Sequence, residues 1–194
     1  MRANSRSLEF ESFRSYRNFM SNGTDGDPLE NARETFVHSW GALGSSWGIS
    51  RTMAMLHALL LISDEPLSTD EVMDELGVSR GNANTNLREL VGWGLVRKVV
   101  RKGERREYFE ADKDVWTMFC TVARERKRRE LEPALAVLEG CRDQTKGLRS
   151  AKAKAFHGQI SELAEFVATA NGILDRLAAS DQSKVIPAVL KWLK

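Results

Sequence analysis

The 194-residue sequence predicts a mainly α-helical protein that carries one small β-hairpin. Apolar residues recur at spacings of three and four through most of the chain, which is the pattern of helices with one buried face. Ser68 and Glu71 have the spacing of a helix-capping box, and Gly77 follows where that short helix would end. Residues 95–100 are rich in β-branched side chains, residues 104–110 carry two aromatic ones, and a charged link joins them.

The segments before the capping box predict an extension and two helices. Residues 1–28 end in a run of turn formers with nothing to bury, so we expect a flexible N-terminal extension. A helix is predicted from Leu29. Its apolar stripe is formed by Phe36, Trp40, Leu43 and Trp47. The segment from Met53 to Ile62 is apolar on nearly every side, which predicts a helix buried in the centre of the fold.

Two short helices and the hairpin follow. The helix after Ser68 would bury Val72 and Leu76 and end at Gly77. Ser79 can cap the next helix, whose apolar positions are Ala83, Leu87 and Leu90. The order helix, short helix, tight turn, helix and hairpin predicts a winged helix-turn-helix over residues 29–112.

The polar face of the second short helix has the chemistry of base recognition. At about 100° per residue, the three apolar positions share one side, and polar residues occupy the opposite side and the flanks. The candidate contacts to DNA are Ser79, Arg80, Asn82, Asn84, Thr85 and Arg88. Asparagine can form a bidentate pair with adenine and arginine with guanine, which indicates a helix that enters the major groove. Gly81 and Gly92 also lie outward, where a helix backbone that must approach another surface could use them.

Positive charge is concentrated in this helix and in the hairpin that follows it. Residues 79–106 contain eight Lys and Arg against two Asp and Glu, whereas residues 28–78 contain two against eight. The basic residues of the predicted hairpin are Arg101, Lys102, Arg105 and Arg106. Such a wing can contact the minor groove or the phosphate backbone. A solvated hairpin whose charges block strand pairing is the alternative. The later basic run 124–129 is expected to be a solvated stripe, with contact to the DNA flanks as the alternative.

Residues 113–194 predict long helices that form a dimerisation region. A helix is expected from Asp114, with a kink or restart at Pro133. Further along, a seam with alternating spacings of four and three comprises Phe156, Ile160, Leu163, Val167, Ala170, Leu174 and Leu177. All of these except Ala170 are candidate dimerisation residues. A seam of this length must pack against another long helix, and a partner subunit fits best. Packing within one chain is the alternative.

Several other functions are disfavoured. The first twenty residues contain no apolar signal-peptide core, and no apolar run reaches the roughly 20 residues of a membrane span. Gly44-Ser45-Ser46-Trp47-Gly48 matches the nucleophile-elbow pattern of hydrolases, but a helical stripe precedes it where a strand is required. The three histidines and two cysteines have no metal-ligand spacing. We therefore expect a cytoplasmic protein without a catalytic site, metal, cofactor or membrane contact.

The segment from Leu67 to Ala111 resembles the GbsR-type branch of the MarR superfamily of bacterial transcriptional regulators. Its sequence is LSTDEVMDELGVSRGNANTNLRELVGWGLVRKVVRKGERREYFEA. Trp47-Gly48-Ile49-Ser50-Arg51 and the helix from Leu29 are also similar to that branch, and the likeness extends to about Cys141. The resemblance implies a homodimer whose winged helices bind a pseudo-palindromic operator, with N- and C-terminal helices at the dimer interface.

These features together predict a DNA-binding repressor, with a small-molecule effector of unknown identity as a modulator. Some members of the resembled branch respond to choline or related osmolytes, which an aromatic cage would bind. The aromatic candidates are Trp40, Trp47, Trp93, Trp116 and Phe119, for which a core role is favoured. The alternatives are a winged-helix module for protein interaction and a helical ligand-binding protein without sequence-specific DNA binding.

Overall fold

The computed structural model describes residues 27–179, which form helices around one small sheet. The elements are α1 (Pro28–Ser46), α2 (Arg51–Ile62), β1 (Leu67–Ser68), α3 (Thr69–Leu76), α4 (Arg80–Trp93), β2 (Val96–Val100), β3 (Glu107–Ala111), α5 (Val115–Arg126), a π-helical turn (Lys127–Leu131), α6 (Glu132–Thr145) and α7 (Ala151–Ala178). The fold is mainly helical with a small wing, as the sequence predicts. Of the predicted extension, residues 1–26 lie outside the described residues, and Pro28 already belongs to α1.

Helix α2 forms the centre of the winged helix. Its residues from Met53 to Leu60 are all buried, which confirms the prediction from their apolar character. Ser50 caps the helix, because its hydroxyl accepts from the Met53 backbone N–H at 3.4 Å. Helix α1, helix α4 and strand β3 pack against α2. The core therefore combines side chains from the helix before α2, from α4 and from the hairpin.

The predicted capping box begins α3. The Glu71 carboxylate accepts from the Ser68 backbone N–H at 2.6 Å, and the Ser68 hydroxyl accepts from the Glu71 N–H at 3.3 Å. The pKa of Glu71 lies below its ordinary value, chiefly because of the bond from the Ser68 backbone N–H. Gly77 ends the helix with φ of 61°, a conformation that other residues rarely adopt. This turn directs the chain into α4.

The sheet has three antiparallel strands in the order β1-β3-β2. Strands β2 and β3 form the predicted hairpin, with Val96 opposite Ala111 and Val100 opposite Glu107. Strand β1 adds two further pairs to the other edge of β3. The sequence does not indicate β1, because two residues carry no strand periodicity. Its effect is to join the segment before α3 to the base of the wing.

The C-terminal helices pack against one another within the chain. The π-helical turn leads into α6, whose first turn contains Pro133, and so the predicted interruption occurs there. Helix α7 packs against α6, the π-helical turn and α5. Part of the predicted seam is therefore covered by the chain itself. Within residues 27–179, every helix is too short or too polar to span a bilayer.

Candidate nucleic-acid interface

Helix α4 has one buried and one exposed face, in the orientation that its periodicity predicts. Its inward residues are Ala83, Leu87 and Leu90, none more than 1% exposed. Thr85 and Arg88 are exposed on the other side. Among the described residues, Arg88 has no ion-pair partner. These two side chains therefore remain available to a ligand outside the protein.

Ser79 and Arg80, at the start of α4, have partners inside the protein. The Ser79 hydroxyl accepts from the Asn82 backbone N–H at 3.3 Å, which caps the helix. The Arg80 guanidinium forms an ion pair with Asp70 of α3, and the two side chains are 62% and 40% exposed. Because exposed pairs contribute little free energy, a phosphate could replace the Asp70 carboxylate at small cost.

Asn82 links α4 to α2. Its side-chain amide donates to Thr52 Oγ1 at 3.3 Å and accepts from Asn86 Nδ2 at 2.6 Å. Asn86 is 5% exposed and also donates to the Asn82 backbone carbonyl, so its role is structural. Asn84 is half-buried on the other flank of α4. The two flanking asparagines thus differ in their contacts, since Asn82 also links α4 to α2.

Arg101 anchors the wing. Its guanidinium donates to the Glu65 carboxylate at 3.2 Å and to the Pro66 carbonyl at 3.4 Å. It also lies 4.4 Å from the ring centroid of Tyr108, a cation–π distance. Arg101 is half-buried, and these contacts join the hairpin to the segment that contains β1. Its geometry is that of a structural support for the wing.

The tip of the wing carries the exposed charges. Lys102, Arg105 and Arg106 are exposed, and the turn between them contains Gly103 with φ of 88°. None of the three basic side chains forms an ion pair with a residue that the structure describes. The wing tip therefore presents three cations to solvent.

Half of the Lys and Arg side chains in residues 79–106 form ion pairs within the chain. Among the eight basic residues between positions 79 and 106, those that pair with described carboxylates are Arg80, Arg97, Lys98 and Arg101. Those that do not are Arg88, Lys102, Arg105 and Arg106. The unpaired charges lie on the outward face of α4 and on the wing tip, which are the two parts of a winged helix that approach DNA.

Four of the five basic residues in the run 124–129 form ion pairs, whereas Arg124 is exposed and has no ion-pair partner among the described residues. Glu125 is 8% exposed and accepts from Arg128 Nε at 3.0 Å and from Arg129 Nε at 2.6 Å. The hydrogen bond from Arg128 keeps the pKa of Glu125 below its ordinary value. Arg129 also donates to the Glu89 carboxylate at 3.0 Å and lies 4.9 Å from the Trp93 ring centroid. The expected solvated stripe is thus a connection between α5, the π-helical turn and α4.

Helices α1, α2, α4 and α5 line a cavity of about 250 Å³ that is partly open to solvent. The aromatic candidates that line it are Trp40, Trp47, Trp93 and Phe119. Trp116 is not part of this lining, although it packs on Phe119 with ring centroids 5.5 Å apart. His57 also lines the cavity, and burial lowers its pKa to about 4.

The candidate dimerisation residues are divided between two sides of α7. Ile160, Val167 and Leu174 are half-buried. Phe156 and Leu163 are 47% and 44% exposed. The side chain of Leu177 lies outside the described residues. Phe166 and Ile173, which flank the seam, are 71% and 59% exposed. Helix α7 thus packs within the chain and also leaves apolar side chains uncovered.

Comparison with known proteins identifies the family. A model described as MarR family matches residues 47–107, the segment from the end of α1 to the start of β3. The HTH-type transcriptional regulator MmpR5 of Mycobacterium tuberculosis is 30% identical over 132 residues, which are 68% of this chain and 74% of that protein. The chain belongs to the MarR family.

Other MarR-type relatives match over shorter parts of their length. The HTH-type transcriptional repressor GbsR of Bacillus subtilis is 26% identical over 57% of this chain and 61% of its own. The repressor OpcR of the same organism is 20% identical over 50% of this chain and 52% of its own. The chain thus spans little more than half of these relatives. A crystal structure titled as a transcriptional regulator has a TM-score of 0.51 at 25% identity, covering 75% of this chain and 99% of that one. These relatives are transcriptional regulators rather than enzymes, and they indicate a DNA-binding regulator.

Two features of this MarR-family chain are not evident in its sequence pattern. The cavity combines side chains from four helices, and the sequence hints at it only through the aromatic candidates and the position of His57 within an apolar run. The contact of Arg129 with Glu89 and Trp93 joins residues about forty positions apart. No local spacing predicts such a contact.

Proposed function

We propose that this MarR-family chain is a repressor that binds a pseudo-palindromic DNA operator as a homodimer. Residues 29–112 would form the DNA-binding domain and residues 113–194 the dimerisation region. The observation that carries the proposal is the pair of unpaired basic surfaces, Arg88 on α4 and the wing tip, next to each other in the chain order of a winged helix. The protein would act in the cytoplasm, where a bacterial operator is accessible.

Base recognition and backbone attachment are assigned to different parts of this surface. Arg88, Thr85 and Asn84 would contact base edges in the major groove, with Asn82 and Ser79 holding the start of α4 against the phosphates. Arg80 would exchange Asp70 for a phosphate. Lys102, Arg105 and Arg106 would contact the backbone or the minor groove beside the site, and Arg101 would hold the wing in place.

Repression in this proposal depends on the spacing of two recognition helices. In a dimer they must lie about 34 Å apart, one turn of DNA, or a multiple of that distance. The apolar side chains of α7 that remain uncovered support a second subunit at this helix. An effector changes DNA affinity only if it binds the competent and incompetent arrangements with different affinities.

Fluorescence anisotropy with labelled DNA duplexes at several salt concentrations tests the proposal. We expect log affinity to fall linearly with log salt, with a slope several units negative, because each phosphate contact releases counterions. Selection of bound genomic fragments supplies the operator duplex, and a shuffled duplex of equal length is the control. A salt-independent affinity, or no preference for selected fragments over shuffled DNA, would support the two alternatives, a protein-interaction module or a ligand-binding protein without sequence-specific DNA binding.

A further inference from the structure

The π-helical turn (Lys127–Leu131) lies where the C-terminal helices meet the winged helix. It joins α5 to α6, and the Glu132 backbone N–H donates to the Lys127 carbonyl five residues earlier, which is the π-helical bond. Helix α7 packs against this turn as well as against α5 and α6. Single π-helical turns within α-helices are rare, and they occur frequently at functional sites. The contacts of this turn are therefore worth following in both directions.

Two side chains of the turn bind different helices. The Lys127 ammonium lies 2.9 Å from the Asp175 carboxylate of α7. The Arg129 guanidinium donates to the Glu89 carboxylate of α4 at 3.0 Å and lies 4.9 Å from the Trp93 ring centroid. Residues two positions apart on a helix point to nearly opposite sides, so one short turn contacts α7 on one side and α4 on the other. Lys127 and Arg129 together are called the junction below.

Lys127 is more shielded from water than its partners. Its side chain is 16% exposed, whereas those of Asp175 and Glu132 are 62% and 50% exposed. Hydrogen bonds to Asp175 and Glu132 raise the pKa of Lys127 above its ordinary value, so the ammonium is charged at neutral pH. A shielded ammonium loses more when a carboxylate is removed than a fully exposed one does. The contact with Asp175 thus favours one placement of α7 beside the turn.

We propose that Lys127 is a positioning residue, which through Asp175 fixes the orientation of the recognition helix α4 relative to α7 and so sets the separation of operator half-sites that the dimer accepts. The first part, the orientation of α4, stands on the contacts within one chain. The second part, the half-site separation, rests on the proposed function, because a separation exists only for a dimer on DNA.

A small rotation at the junction is enough to change this separation. In a dimer held together through α7, each recognition helix lies at some distance from the interface. Over an arm of about 20 Å, which is within the size of a small domain, a rotation of about 10° moves α4 by about 3.5 Å. One base pair rises by about 3.4 Å, so a rotation of this size corresponds to one base pair of half-site separation.

The chain contains a matched control for the contact with α7. Glu132 binds the same Lys127 ammonium at 3.0 Å, but it lies in the first turn of α6, five positions along the chain. Asp175→Ala and Glu132→Ala each remove one carboxylate from Lys127 and one negative charge from the protein. Both side chains are at least half exposed, so neither change leaves a buried cavity. Only Asp175→Ala breaks the contact to α7.

Fluorescence anisotropy with the selected operator duplex, and with one base pair added or removed between its half-sites, measures the preferred separation. We expect the wild type and Glu132→Ala to bind the selected separation about tenfold more tightly than either altered one. In Asp175→Ala this preference should fall to about twofold, because α4 is no longer fixed relative to α7. The affinity for a duplex with a single half-site should be the same in all three proteins.

Asp175→Glu keeps the carboxylate and should restore the preference. Equal preferences in Asp175→Ala and Glu132→Ala would overturn the role of Lys127 in half-site separation, and so would a wild type without any preference. A weaker affinity of Asp175→Ala for the single half-site would show a general loss of structure instead of a change in orientation, and it would also overturn the proposal. Sedimentation velocity and thermal melting check that every variant is dimeric and folded.

Pulsed electron spin resonance tests the junction without DNA. Spin labels at Thr85→Cys on α4 and Glu165→Cys on α7, two exposed positions, report the distance within one chain when the two native cysteines are replaced by alanine and unlabelled protein is in excess. We expect a narrow distance distribution with Lys127 and both its partners intact and in Glu132→Ala, and a broader one in Asp175→Ala. An unchanged distribution in Asp175→Ala would refute the orienting role. A broader distribution together with a wild type that binds no DNA would refute the proposed function and leave the orienting role intact.

Discussion

The guanidinium of Arg129 lies 4.9 Å from the ring centroid of Trp93 and donates a 3.0 Å hydrogen bond to the Glu89 carboxylate. We expect Arg129→Ala to lower the free energy of unfolding by about 1 kcal/mol, since one cation–π contact and two partly exposed ion pairs are lost. Urea denaturation measures this change. DNA affinity should also fall, because α4 loses a contact to the π-helical turn. Arg124→Ala removes the same charge from an exposed position of α5 and is the control. Equal DNA affinities of the two variants would mean that charge alone matters.

Arg88 and Arg105 should differ in how they affect DNA binding. Arg88→Ala removes a proposed base contact, so the preference for one operator position should relax by roughly 1–3 kcal/mol. Arg105→Ala removes a proposed phosphate contact, so all duplexes should bind more weakly and the salt slope should decrease by about one. Anisotropy with single-base operator variants measures both effects. Identical behaviour of the two variants would contradict the division between α4 and the wing.

Leu163 tests the proposed dimer interface on α7. Its side chain is 44% exposed in one chain, so an aspartate at this position can remain in solvent if the protein is monomeric. We expect Leu163→Asp to give a folded monomer that no longer binds the operator, as measured by sedimentation velocity and anisotropy. Glu165→Gln, an exposed change in the same helix turn, should remain dimeric. A stable dimer of Leu163→Asp would locate the interface elsewhere.

The elements that the sequence predicts are those set by local chemistry. The Ser68 and Glu71 capping box, the Ser79 cap and the turn at Gly77 depend on residues a few positions apart. The same holds for the buried positions of α4, which follow from helical periodicity. These features fix the angle between α3 and α4, and so most of the candidate interface could be found without coordinates.

The features that the sequence does not predict depend on contacts between distant segments. Strand β1 forms only because Leu67 meets Phe109 across the sheet. The seam on α7 carries enough apolar residues to pack against two other helices. Its spacing does not predict which side chains face α6 and which remain exposed. The sequence gives no partner for Arg80 or Arg101. In the fold, Arg80 forms an ion pair with Asp70, and Arg101 forms one with Glu65.

His57 should make stability depend on pH between 5 and 7. Its pKa is about 4 in the folded protein and 6.5 as the ordinary value, so the unfolded chain binds more protons as the pH falls. The free energy of unfolding should therefore decrease by about 2 kcal/mol from pH 7 to pH 5. Urea denaturation at both pH values measures it. In His57→Leu this decrease should be absent, and in the control His38→Gln, an exposed position, it should persist. An equal pH dependence in His57→Leu would assign the effect to other groups.

Substitution of Gly81 by alanine should stabilise the fold but weaken DNA binding. An alanine Cβ at this position of α4 would meet no atom within 4 Å. Gly81→Ala should thus raise the free energy of unfolding by about 0.5–1 kcal/mol, since alanine loses less backbone entropy in a helix. The same methyl group would stand on the face proposed to approach DNA, so operator affinity should fall about tenfold even though the fold is more stable. Gly140→Ala is the matched control, because its Cβ also meets nothing within 4 Å but lies on α6. It should stabilise the protein without changing DNA affinity. If Gly81→Ala bound the operator as tightly as the wild type, the backbone of α4 would not come close to DNA at this position, and the glycine would have no part in recognition.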